Sequence, residues 1–269
     1  MACKNCKTSL KDIDDFCNNC GAKVIRNRLT IKNLFAHFSE HFLNYDNKFL
    51  QTFIHLFTKP EVVIGNYIDG TRKKYVNVIS YFAIALTVSG LQLLILDKFF
   101  PEAMDMSLFS NETTKVTEEL NNKQMSFIRE YQSILMMINV PVYALASYIV
   151  FYTLKRHNYT EHLVIFMYVL SQLTIIGTFI SITSASLGLS IAHSSIILGP
   201  IQFIYSGFCL QRLYKLSVKG FILRTLYFLV ILIIGAIIFS ILSAVMMYLS
   251  GDMQEIIEAQ RAAREAAGG

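Results

Sequence analysis

The sequence predicts an all-α polytopic membrane protein with about five transmembrane helices and a small N-terminal four-cysteine zinc ribbon. Hydrophobic residues make up 54% of the 269 residues and charged residues only 16%, whereas soluble domains usually carry about 25% charged residues. Four of the five cysteines lie within the first 20 residues. The composition excludes a disordered chain and disfavours an ordinary soluble enzyme.

The cysteines form two C-x2-C pairs, Cys3 with Cys6 and Cys17 with Cys20. Each pair can direct two sulfurs at one ion at about 2.3 Å, and two pairs complete a tetrahedron. A reducing cytosolic N-terminus disfavours disulfides. The spacing therefore predicts a four-cysteine zinc site, with a redox dithiol pair as the alternative.

Four thiolate ligands leave no open position for water, so we expect structural rather than catalytic zinc. About 20 residues cannot build a hydrophobic core, and the metal would hold this segment folded. Gly21 suits the turn that directs backbone N–H groups at the sulfurs. Lys7 occupies the equivalent place in the first pair and is a departure from the usual pattern. Cys209 lies in an apolar stretch and is interpreted as a small hydrophobic residue.

The chain divides into four predicted parts. They are a zinc ribbon at 1–25, amphipathic helices at 26–75, a transmembrane domain at 76–249 with an extracytoplasmic loop at 97–132, and a polar tail at 250–269. Within the second part, aromatic and aliphatic residues recur at helical spacing over 30–58. This stretch can lie in the membrane interface or form a cytosolic helical hairpin, and the sequence does not separate the two.

A helix needs about 20 apolar residues to cross the hydrocarbon core. Five segments meet this length: Val76–Leu96, Ile134–Leu154, Leu163–Thr183, Ser194–Leu213 and Thr225–Leu249. The net charge of the segments outside the spans changes sign along the chain. Residues 1–74 carry +5, residues 97–132 carry −3 and residues 212–224 carry +4. The positive-inside rule then predicts a cytosolic N-terminus and an extracytoplasmic C-terminus.

The stretch from Pro60 to Tyr75 reads P-x3-I-x2-Y-I-x-G-x-R-x2-Y. Together with the cysteine pairs, it resembles a family of uncharacterised bacterial multi-span membrane proteins that carry an N-terminal zinc ribbon and a domain of unknown function. The resemblance implies a location in the bacterial inner membrane and implies no activity. Arg72, Lys73 and Lys74 are predicted to anchor the chain at the membrane interface, at about 1 kcal/mol per charge near an anionic leaflet.

Neutral polar residues remain inside the predicted spans, namely Asn139, Gln172 and Gln202. The spans contain no Asp, Glu or Lys and only Arg212 at a cytosolic end, which disfavours ion-coupled transport. The three amides either form a polar cluster in a cavity between spans two, three and four or bond between helices. Small residues on span five, Ala236, Ser240 and Ala244, are consistent with packing in the bundle or with a homo-oligomer.

The pentapeptide His37-Phe38-Ser39-Glu40-His41 matches H-x-x-E-H, a zinc metalloprotease motif. A third ligand and a substrate cleft would also be required, so the protease is a remote alternative. We expect instead a non-enzymatic interaction or regulatory protein, whose ribbon docks a cytosolic protein partner at the lipid bilayer. A small transporter, channel or lipid-handling protein is the main alternative. Asp12, Asp14 and Asp15 interrupt the basic residues of the ribbon, which disfavours nucleic acid as a partner.

Overall fold

The computed structural model describes residues 1–24, 26, 30, 48–104 and 115–250. The chain forms two compact units, 1–47 and 48–269. The first unit contains two isolated antiparallel bridges, between Ala2 and Ser9 and between Phe16 and Lys23. The described part of the second unit is helical.

Over residues 48–104 and 115–250, seven α-helices follow one another. They are α1 Lys48–Thr58, α2 Pro60–Ile68, α3 Val78–Phe99, α4 Lys115–Phe151, α5 Tyr159–Ser186, α6 Ile191–Tyr214 and α7 Val218–Ser250. Short 3₁₀ helices at Pro101–Met104 and Tyr152–Leu154 follow α3 and α4.

Local signals in the sequence set the starts of these helices. Pro60 opens α2, where its missing N–H would have no helical partner. The Asn77 side chain accepts a hydrogen bond from the Ile79 N–H at 3.0 Å and caps α3. Asn158 and Glu161 form a reciprocal capping box at the start of α5.

Among the described residues, four helical segments are long and apolar enough to cross a membrane: Val78–Phe99, Arg129–Leu154, Tyr159–Ser186 and Val218–Val245. The predicted count of five is therefore not exact. The predicted span Ser194–Leu213 does form a helix, α6, of 24 residues. It is not among the four because polar residues such as His193, Gln202 and Gln211 interrupt its apolar sequence.

The helices of the bundle alternate in direction, with α5 at the centre. Contacts between side chains show that α5 runs antiparallel to α4 and α6 and parallel to α3. The pairs are Phe166–Tyr143 and Thr174–Met136 with α4, His162–Tyr214 and Gly177–Leu198 with α6, and Tyr168–Tyr81 and Thr178–Gln92 with α3. Helix α7 runs opposite to α4, because Arg224 lies near Phe151 and Phe228 near Tyr143.

This alternation places the basic connections at one end of the bundle. Helices α3, α5 and α7 begin there, and α4 and α6 end there, so Arg72, Lys155 and Lys215 share that end. Glu61 of α2 and Arg212 of α6 form an ion pair at 2.9 Å at the same end. Both side chains are partly exposed, so the pair contributes at most about 1 kcal/mol.

Candidate functional sites

The four N-terminal cysteines form one cluster. Their sulfurs all lie within 4.8 Å of one another, and Cys6 to Cys17 and Cys3 to Cys20 measure 3.5 and 3.7 Å between Sγ atoms. These distances are far longer than a disulfide bond of about 2.05 Å. They agree with the edge of about 3.8 Å expected when four sulfurs surround a zinc ion at about 2.3 Å. The cluster can therefore bind a metal ion.

The two cysteine pairs repeat the same backbone geometry at an offset of 14 residues. The Cys3 N–H bonds the Thr8 carbonyl at 2.8 Å, as the Cys17 N–H bonds the Ala22 carbonyl at 2.8 Å. The two antiparallel bridges follow the same offset. The ribbon is thus an approximate internal repeat, which brings one pair of sulfurs from each half to a common centre.

Hydrogen bonds favour the thiolate forms of Cys6 and Cys20, whereas burial and the neighbouring thiols of Cys6 and Cys20 raise the pKa of Cys17 to about 11. The hydroxyl and backbone N–H of Thr8 lower the pKa of Cys6 to about 5. The Asn5 side chain and the Ala22 backbone lower the pKa of Cys20. Thiolates are the form that ligates metal, so the residues around these two sulfurs are suited to metal binding.

Lys7 takes the same left-handed backbone conformation as Gly21, with φ values of 63° and 70°. A non-glycine residue in this region costs about 1–2 kcal/mol. We expect Lys7→Gly to raise metal affinity by about fivefold, since the greater flexibility of unfolded glycine offsets part of the gain. Chelator competition with zinc on the whole protein measures this.

Lys4→Gly is the matched control, because Lys4 lies beside the same cysteine pair, between Cys3 and Cys6, and does not have a positive φ. It should leave the affinity unchanged or lower it. A Lys7→Gly protein that binds zinc more weakly than wild type would contradict a strained turn at this position.

Gln172 is fully buried on α5 and holds α1 against the bundle. Its side-chain oxygen accepts a short hydrogen bond from the Tyr81 hydroxyl, and its Nε2 donates to the Phe53 carbonyl at 3.1 Å. Gln172 lies about 20 Å along α5 from Tyr159. Helix α1 therefore packs well inside the length of the bundle, rather than at its tip.

A second backbone carbonyl of α1, that of Leu56, accepts a hydrogen bond from a side chain of α6. Leu56 has no helical donor four residues later, because that residue is Pro60. The Tyr205 hydroxyl donates to the Leu56 carbonyl at 3.0 Å and satisfies it. Sequence analysis did not single out Tyr205, although Pro60 was the signal that the Leu56 carbonyl needs an outside donor.

Asn139 and Gln202 line one cavity of about 410 Å³ between α3, α4, α5 and α6, and Gln172 does not. The Gln202 Nε2 donates to the Tyr143 hydroxyl at 2.7 Å. Amides and hydroxyls supply most of the polar lining, including Ser89, Gln92, Gln132, Asn139, Tyr143 and Gln202. Of the three amides singled out from the sequence, the structure brings two together and assigns the third to packing of α1.

A buried histidine cluster at the basic end of the bundle was not expected from the sequence. His162 is buried; its Nδ1 lies 3.0 Å from the Ser147 hydroxyl and its Nε2 lies 3.0 Å from the Tyr214 hydroxyl. The cluster joins α4, α5 and α6. The sequence pattern could not reveal this cluster, because Ser147 and Tyr214 are separated by 67 positions in the chain.

The predicted interface anchors are exposed in the short connection between α2 and α3. Arg72 lies 5.3 Å from the Tyr67 ring centroid and Lys74 lies 5.5 Å from that of Tyr75. These cation–π contacts orient two of the three charges near the start of α3. The residues His37, Glu40 and His41 of the protease motif lie outside the described residues.

The described residues form a helical protein with a cluster of four cysteines that could hold a metal ion and with helices able to cross a membrane. A family model described as "Protein of unknown function (DUF3667)" matches residues 46–90. The match covers α1, α2 and the first half of α3, so this chain is similar to an uncharacterised domain family over that segment. No curated protein matches, and no solved structure matches.

Proposed function

We propose that the protein crosses the membrane five times, and that α6 is a crossing in addition to the four strongly apolar segments. Helix α6 runs antiparallel to α5 from the Tyr214–His162 contact to the Leu198–Gly177 contact. A helix of 24 residues is about 36 Å long, which exceeds the hydrocarbon thickness of about 30 Å. Helices α2, α5 and α7 pack against α6, and two of its polar residues, Ser194 and Ser206, are buried.

The basic end of the bundle is the cytosolic end in this proposal. The charges that precede α3, those between α4 and α5, and those between α6 and α7 gather there, as the positive-inside rule requires. An odd number of crossings then places the C-terminus on the opposite side. The resemblance to bacterial multi-span proteins supports the bacterial inner membrane.

The metal is proposed to be zinc with a structural role. Cys3, Cys6, Cys17 and Cys20 would hold it, and a set of four thiolates is typical of closed zinc sites. Bound zinc would link the two halves of the 14-residue repeat and stabilise the first unit. No coordination position would remain for a substrate.

The proposed function is a non-enzymatic interaction or regulatory role, in which the cytosolic ribbon docks a protein partner at the bilayer. The cluster of four cysteines carries this proposal. A metal site whose four positions are all filled by protein ligands has a structural role rather than a catalytic one. The apolar helices of the second unit supply the membrane anchor. Nucleic acid is disfavoured as the partner, since three aspartates interrupt the basic residues of the ribbon.

Affinity purification from native membranes tests the docking role. We expect a cytosolic protein to co-purify with the wild type and to be absent from the Cys17→Ser form. Cys209→Ser is the control, because Cys209 is a buried cysteine of α6 outside the cluster. Co-purification that is unchanged by Cys17→Ser would overturn docking through the ribbon.

A lipid-handling or transport role is the second candidate, and the cavity between α4, α5 and α6 favours it. Cavities of about 300–1,000 Å³ are the usual size of ligand sites. Joint replacement of Asn139 and Gln202 by leucine should then abolish cellular function. Full function in that variant would remove the basis of this candidate.

The remote protease alternative requires zinc held by His37 and His41. One zinc ion per chain, bound entirely by cysteine sulfurs, would exclude it. Metal analysis of the purified protein, combined with the spectrum of a cobalt-substituted form, distinguishes the ligand types.

A further inference from the structure

The cavity is polar at the depth of the bundle centre. Asn139 lies on α4 between Met136, which faces Thr174, and Tyr143, which faces Phe166. The two partners lie on either side of the middle of α5, Tyr159–Ser186. Among the described residues, the Asn139 amide has no hydrogen-bond partner, and its side chain is exposed. An amide left without a partner at this depth of a bilayer is costly, so something must satisfy it in the membrane.

Exposed apolar residues neighbour the lining of the cavity on α4 and α6. On α4, the residues beside Asn139 are apolar and half exposed, with Ile138 at 53% and Val142 at 50%. On α6, Ile197 and Ile204 are also exposed. A polar opening bordered by apolar side chains would admit a molecule from the bilayer more readily than from water.

The lining selects an uncharged head group. Among the described residues that line the cavity, none is Asp, Glu, Lys, Arg or His. A phosphate brought into such a site would have no counter-charge, and burying an unpaired charge is strongly unfavourable. Amides both donate and accept hydrogen bonds, and the cavity presents four of them, Gln92, Gln132, Asn139 and Gln202.

We propose that this cavity binds the uncharged glycerol head of a diacylglycerol-type lipid, which enters between α4 and α6. The head offers a hydroxyl donor and ester carbonyl acceptors that match the amides and hydroxyls of the lining. A volume of about 410 Å³ holds the head, and the acyl chains remain among the exposed apolar residues of α4 and α6. The inference rests on the proposed membrane topology.

Photolabelling of the full chain in phosphatidylcholine nanodiscs tests the binding. The probe is a photoactivatable diacylglycerol, and matched photoactivatable phosphatidylcholine and phosphatidylserine probes are used in parallel. We expect diacylglycerol to label the cavity segments 132–143 and 198–202, to be displaced by unlabelled diacylglycerol, and to exceed both phospholipid probes there. Equal labelling by all three probes, or labelling spread over the lipid-facing surface, would overturn the proposal.

Three leucine variants sharpen the result. Asn139→Leu and Gln202→Leu each remove a side-chain amide that would form hydrogen bonds with the head group. Each variant should reduce cavity labelling by about tenfold. Gln211→Leu is the same change on α6 outside the cavity lining, and should leave labelling unchanged. Unaltered labelling in the two cavity variants would contradict the assignment. If a variant misfolds, the wild-type labelling sites and head-group selectivity still decide the question.

The same preparation separates the two proposals. If the wild type does not insert into nanodiscs, both the topology and the lipid site are wrong. If it inserts but labels without selectivity, only the lipid site is wrong.

Discussion

We expect Cys17→Ser to abolish metal binding under chelator competition and to unfold the first unit. The wild type should hold about one zinc ion per chain. A hydroxyl is a poor replacement for a thiolate, and three remaining sulfurs leave the tetrahedron incomplete. Structural zinc in small domains contributes about 10–16 kcal/mol of apparent binding free energy. Within residues 1–24, the buried hydrophobic cluster consists only of Cys3, Leu10 and Cys17, so this segment has few other sources of stability.

Metal analysis and limited proteolysis of the purified protein measure this effect. Cleavage within residues 1–24 should become rapid in the variant. Cys209→Ser provides the control, since the new hydroxyl can bond to the carbonyl of the preceding turn in α6. Zinc that survives in Cys17→Ser, or disappears in Cys209→Ser, would show that the cluster is not the metal site.

The second large effect is expected for Gln172→Leu. The change removes both bonds of the buried amide: it leaves the Tyr81 hydroxyl without its partner, and it removes the bond that Gln172 donates to the Phe53 carbonyl of α1. Each buried group left unpaired costs about 1–3 kcal/mol. We expect the unfolding free energy in detergent to fall by about 2–5 kcal/mol, and α1 to become accessible to proteases.

A double variant tests the cause of this loss. Tyr81→Phe combined with Gln172→Leu removes both ends of one hydrogen bond, so the double variant should lose less stability than the two single variants added together. Gln211→Leu, on a partly exposed position of α6, should change stability little. Strict additivity of the two single variants would indicate that Gln172 stabilises α1 through packing rather than through the Tyr81 bond.

Much of the architecture was predictable from local patterns. The C-x2-C pairs predict the cysteine cluster, because two residues between thiols already fix the reach of both sulfurs. Long apolar runs predict five crossings, of which the described residues give four helices long and apolar enough. Helix α4 begins at Lys115 and includes much of the predicted loop 97–132. Helix α6 was harder to classify, since polar residues such as His193, Gln202 and Gln211 lower its hydropathy.

The roles of the polar residues inside the bundle could not be predicted in the same way. Asn139, Gln172 and Gln202 are equivalent in the sequence, as amides in apolar surroundings. Their partners come from other helices, and Gln172 bonds to Phe53, which is 119 positions away. The direction in which each amide points depends on helix rotation within the bundle.

The sequence by itself determined the cluster of four cysteines, the helical class and the alternation of charge along the chain, because each depends on residues close together in the chain. Only the tertiary structure decided which end of the bundle gathers the basic connections, that α1 packs deep against α5, and that two of the three amides share a cavity. Those features depend on contacts between distant residues, whose geometry is set by helix packing rather than by local spacing.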